Sequence, residues 1–90
     1  GKAWSMVPIL TVDMIDPRMS AAGVADRLAD YFAGGVRQVW HVLSHVEQVH
    51  VWDSPTAVRV LTRTDELTGD PVVLGFRLPV ADLFPPSAPT

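Results

Sequence analysis

Cysteine is absent from all 90 residues. This rules out disulfides and thiolate metal sites, and it removes the usual mark of a small secreted domain. Basic residues are scarce: seven Lys and Arg stand against ten Asp and Glu, scattered without a cluster. Tight nucleic-acid binders draw much of their affinity from neutralised phosphates and present a basic face. DNA contact by the free monomer is therefore expected to be weak. A metal-dependent nuclease is less constrained, because a bound cation inverts the local charge. Long apolar runs are missing as well. Stretches such as Met6–Leu10 and Val72–Leu74 fall far below the roughly 18–20 residues of a membrane-spanning helix. The first residues lack the basic flank and small-residue cleavage site of a signal peptide. Cytoplasmic location without membrane contact is the expectation. No Gly-rich phosphate loop, Ser-His-Asp set or Cys-His pair is present.

What the chain does contain is enough apolar material for one core. Hydrophobic residues make up 48% of it, which is incompatible with a disordered chain. Residues 1–84 read as a single domain and the Pro-rich stretch 85–90 as a C-terminal tail. The centre of the pattern is Pro8–Pro17. Val7–Ile15 reads as a strand buried on both faces, with Thr11 and Asp13 on one face beside Ile9 and Ile15, and Leu10, Val12 and Met14 on the other. Pro17 ends it. Ser20 is placed to cap a helix over Ser20–Ala33, whose stripe is Val24, Leu28, Tyr31 and Phe32. Gly34-Gly35 stops that helix. Val36–Leu43 and Glu47–Trp52 form an antiparallel hairpin around a turn at Ser44–Val46. After a turn at Asp53–Pro55 comes a strand over Ala57–Thr62. A polar loop then spans Thr64–Asp70, followed by a last extended segment over Val72–Leu78 and one helical turn over Val80–Phe84. The class is α+β, with one main helix on a mixed, mostly antiparallel sheet of about five strands.

At this point the residues resemble a known group, the Uma-type restriction endonucleases of the PD-(D/E)XK nuclease superfamily, a large bacterial family. Its typical run is Pro-Asp-Leu-Val-Val-Glu-Val-Leu-Ser-Pro, and this chain has Pro8-Ile9-Leu10-Thr11-Val12-Asp13-Met14-Ile15-Asp16-Pro17. Nine residues later, Arg27-Leu28-Ala29-Asp30-Tyr31-Phe32-Ala33-Gly34-Gly35-Val36 is similar to the family's Lys-Leu-x-x-Tyr-Leu-x-Ala-Gly-Val. Val39-Trp40 then follows, and Val72–Phe84 looks like the closing Leu-Pro-Gly-Phe segment. The resemblance covers roughly residues 7–84. It implies a restriction-endonuclease-like core, with Asp13 at the position of a metal-binding Glu and Arg27 at the position of the helix Lys.

The departures set the functional expectation. Asp13 is one methylene shorter than Glu. Arg27 keeps a positive charge but cannot serve as a base at neutral pH. Ile9 stands where the family has an acid, and an earlier acid-bearing strand required by the superfamily precedes anything in this chain. The expectation is a truncated, degenerate relative, catalytically inactive, without a cofactor, and homodimeric because a missing strand leaves an open edge. In that reading Asp13 and Arg27 form a structural ion pair and Asp16 is a turn or capping acid. Two alternatives stay open. One is a live endonuclease using Mg²⁺ or Mn²⁺, with Asp13 and Asp16 as ligands or a second chain supplying an acid. The other is an interaction module with no nucleic acid in its function. Pairing Leu43 with Gln48 would set His41 opposite His50. Two imidazoles fall short of a zinc or copper site, and His45 sits in the turn out of reach, so a solvated or interface pair is expected. Trp4, Trp40 and Trp52 are expected as core or interface anchors.

Overall fold

The computed structural model describes residues 9–70 and 72–84. The lead-in with Trp4, the first residues of the expected opening strand and the Pro-rich tail lie outside them. The elements run β1 (Leu10–Met14), α1 (Ala21–Ala33), β2 (Gln38–Leu43), β3 (Gln48–Ser54), β4 (Ala57–Leu61), β5 (Glu66–Thr68), β6 (Arg77–Pro79) and a 3-10 turn (Val80–Leu83). The main sheet has the order β1-β2-β3-β4, and β5 and β6 form a separate two-stranded sheet. β1 lies parallel to β2 through the α1 crossover, and the remaining pairs are antiparallel. The α+β class with one helix on a mixed sheet is therefore correct, with six short strands in two sheets among the described residues.

Local chemistry accounts for the ends of α1. Ser20 Oγ accepts the Gly23 amide at 2.9 Å, closing the N-terminus. At the other end the left-handed residue is Gly35, with φ of 106°, while Gly34 stays right-handed. The Val36 amide then reaches the Tyr31 carbonyl at 3.1 Å and the Gly35 amide reaches Phe32 at 3.1 Å. This is the paired closure that glycine permits at the end of a helix. The β2–β3 hairpin has the expected register, Leu43 opposite Gln48 and His41 opposite His50. Its turn is one residue longer than expected, because Glu47 takes a positive φ of 53° and cannot begin the strand.

The two faces of the main sheet carry different layers. On one, Trp40, Val42, Val49 and Val51 pack with Leu67, Val80 and Phe84 from the small sheet and the 3-10 turn. On the other, Leu28 of α1 packs with Val36 and Val39, flanked by Tyr31, Phe32 and Trp52. Three expectations need correction. The Thr64–Asp70 stretch is not a loop throughout: Leu67, 1% exposed, anchors β5 in the core opposite Leu78. The 72–78 segment is extended only from Arg77. Before that, the Val72 and Val73 amides fold back onto the Gly69 carbonyl, and Gly75 bends the chain at φ of 82°. Finally, β1 is not buried on both faces. Among the described residues it is the sheet edge, and although Leu10 packs against the core under the small sheet, Val12 and Met14 beyond it are 54% and 58% exposed.

Candidate functional site

Alternation along β1 turns Thr11 and Asp13 toward the α1 side. Asp13 is buried there, 8% exposed, with His41 as its neighbour on β2. From above, α1 presents Arg27 and Tyr31, one helical turn apart and so on a common face. Arg27 Nη2 donates to Asp13 Oδ1 at 2.7 Å, and Tyr31 Oη approaches Oδ2 at 3.5 Å. Each carboxylate oxygen therefore faces a donor from the helix. The Arg27 guanidinium also rests on Met19 Sδ at 3.5 Å, which fixes its approach from the solvent side. A buried carboxylate is tolerable only with such partners.

Asp16 belongs to a different cluster. Its carboxylate takes Arg18 Nε at 3.0 Å and Arg18 Nη2 at 2.7 Å, and it also accepts the Arg18 amide at 2.8 Å. The Met19 amide closes onto the Asp16 carbonyl at 2.9 Å. This is an aspartate turn leading into the helix cap. The Arg18 side chain, followed by its backbone amide, holds the Asp16 carboxyl below the ordinary range. The donor set does not fit a divalent ion. Asp13 faces Arg27 and Tyr31, Asp16 is tied to Arg18, and no group of three or more His, Asp or Glu that could hold a metal exists among the described residues. No catalytic step is assigned to a metal here.

Behind Asp13 the row continues with His41 and His50, facing each other across the hairpin. His41 is 2% exposed. Burial is the main cause that lowers its pKa, opposed by Asp13 and reinforced by His50 and Arg27. Burial likewise lowers that of His50, whose Nε2 lies 3.2 Å from Gln48 Oε1. His41 Nε2 and Trp52 Nε1 are buried without a hydrogen-bond partner. Two polar contributors were missed by sequence reasoning, one at this site and one on the opposite face of the sheet. Tyr31 was read only as part of the apolar stripe, although its spacing from Arg27 places it over the same acid. Gln38 is fully buried and accepts from Trp40 Nε1 at 2.9 Å while donating to Asp53 Oδ1 at 2.9 Å. Nothing in the sequence signals that relay.

No family model matches the chain, and no curated protein matches it. Among solved structures it is similar to a protein from Anabaena variabilis described as a putative nuclease belonging to DUF820, with a TM-score of 0.74 at 17% identity. The match covers 90% of this chain and 46% of that one, so the chain spans about half the length of its structural neighbour. At this identity the likeness shows a nuclease-like fold.

Proposed function

We propose that this chain is a nuclease-like domain of Uma-type, PD-(D/E)XK descent in which the metal-binding position has become a structural ion pair, and that it acts as a homodimer without cleaving nucleic acid. The observation that carries this reading is the 2.7 Å contact of Arg27 with Asp13. A guanidinium on the carboxylate occupies the ground a cation would need, and its fixed protonation denies the site a base. The likeness to the DUF820 structure supports the descent. The dimer is supported by the exposed apolar residues Val12 and Met14 on the edge strand, a surface that proteins generally protect. With a net charge of −3, DNA is a weak partner and the cytoplasm the natural setting.

A plasmid-nicking assay with Mg²⁺ or Mn²⁺ tests the chemistry. The expected result is no cleavage above the level of the Asp13→Asn variant. Metal-dependent nicking that disappears in Asp13→Asn would overturn the proposal in favour of a live endonuclease. Light scattering at micromolar concentration tests the assembly, and a monomer mass would remove the homodimer.

A further inference from the structure

Helix α1 does not close onto the whole sheet. Its first turns present Ala21 and Ala25, each offering a single methyl group. Between them and His41, His50 and Trp52 lies a cleft of about 380 Å³. That size is ordinary for a small-molecule pocket, roughly 300–1,000 Å³. No Asp, Glu, Lys or Arg lines it. The polar side chains along it are two imidazoles and an indole. Two nitrogens of these rings, His41 Nε2 and Trp52 Nε1, are closed off from solvent and lack a hydrogen-bond partner among the described residues, and His41 is 2% exposed. Buried polar atoms seldom lack partners in a native protein. An indole nitrogen only donates, so it requires an acceptor, whereas His41 Nε2 takes either role according to its tautomer. The His41 and Trp52 rings meet edge-on with centroids 6.0 Å apart, which places the two nitrogen-bearing rings side by side on one wall. Burial keeps both imidazoles toward the neutral form, so the cleft bears no formal charge near neutral pH.

We propose that this cleft binds a small, uncharged, mostly apolar molecule carrying a carbonyl-type acceptor. The acceptor takes the Trp52 indole N–H, and the body of the molecule lies against Ala21 and Ala25. Both nitrogens are closed off from solvent, so engagement requires a turn of the half-buried Trp52 ring. Neither Asp13 nor Arg27 lines the cleft, so the proposal stands apart from the nuclease-like reading.

Acetophenone serves as the probe. Cumene matches its shape without an acceptor, and benzoate adds a charge. Each is titrated into the ¹⁵N-labelled chain while the Trp52 indole N–H resonance, assigned with Trp52→Phe, and the backbone amides of the cleft-lining residues Leu28 and His41, which also report on the variants, are followed. Acetophenone is expected to saturate with a Kd on the order of millimolar for its size. It should bind about fivefold more tightly than cumene, the effect of one net hydrogen bond, and benzoate should bind more weakly still. Trp52→Phe should abolish the preference over cumene, and Ala25→Phe, which fills the cleft, should abolish both. Ala21→Leu provides the same block should Ala25→Phe lose its far-UV dichroism. Equal affinity for acetophenone and cumene, tighter binding of benzoate, or binding that survives a folded cleft-filling variant would each overturn the proposal. So would absence of saturable binding, including absence because a second copy of the chain covers the cleft.

Discussion

Replacing Arg27 with Ala removes the strongest partner of Asp13 and leaves a carboxylate that is 8% exposed facing a tyrosine hydroxyl at 3.5 Å. Breaking a fully buried ion pair costs about 3–5 kcal/mol. Here the Arg27 side chain is 45% exposed, so water already screens the pair, and Tyr31 remains. A cost of about 2 kcal/mol follows. A domain of this length is stable by roughly 5–13 kcal/mol at the usual 0.05–0.15 kcal/mol per residue, so the loss is a sizeable fraction. The midpoint of thermal unfolding should fall by about 8–16 °C. Asp13→Asn should cost about 1 kcal/mol, since it removes the charge and leaves an amide near the guanidinium. The double variant should cost less than the sum of the singles by about 1 kcal/mol, because the two changes remove one interaction. Urea unfolding followed by tryptophan fluorescence measures all four corners of this cycle. Additive costs would refute the argument that Arg27 is there for Asp13. So would stabilisation of Arg27→Ala by millimolar Mg²⁺, since that would mean a metal-competent acid had been uncovered.

Three further outcomes follow from other parts of the molecule. His41 and His50 have folded pKa values lowered chiefly by burial, so the unfolded chain takes up protons first as pH falls. Their contribution to stability is complete above the ordinary histidine range. It is lost below about pH 6.5, by up to about 1.4 kcal/mol per pH unit for each ring, and His41→Leu should flatten that limb of a pH–stability curve. Leu67→Ala removes a side chain that is 1% exposed and joins the small sheet to the core. It should cost about 3 kcal/mol, with a smaller cost counting against β5 as a core element. Gly35→Ala forces a methyl group onto a backbone at φ of 106° and should cost about 1–2 kcal/mol, whereas the same change at right-handed Gly34 should cost less.

The parts of the fold legible from the sequence are those where two independent signals agree. Alternation in the second hairpin strand and the short gap between the two strands signalled the hairpin, and the Leu43–Gln48 pairing considered for it is the one observed. Helix α1 was bounded by Ser20 and the glycine pair as well as by its stripe. The Asp13–Arg27 contact followed from a strand face and a helix face that had to meet. Where one signal stood alone, the reading failed. β5 has a single apolar residue, Leu67, in a polar stretch, and three residues are too few for a period to emerge. The apolar run of β1 looks the same whether the strand lies at the centre of a sheet or at its edge, so the exposure of Val12 and Met14 was invisible. Gln38 was illegible for a different reason. Its burial depends on Trp40 and Asp53 offering complementary groups in space, a matter of tertiary geometry.

The two departures of β1 from an ordinary strand share one cause. Among the described residues it is the edge of the sheet, and α1 covers the side that bears Asp13. That side excludes water well enough to require a charge partner for the acid, and α1 supplies it with Arg27. On the other side Leu10 packs against the core, while Val12 and Met14 stay open. Alternation therefore places the ion pair and the proposed dimer surface on opposite faces of the same five residues. The two are separable: changes at Asp13 or Arg27 should act on folding with the outer face intact, and polar replacements at Val12 and Met14 should act on the proposed association with the ion pair intact.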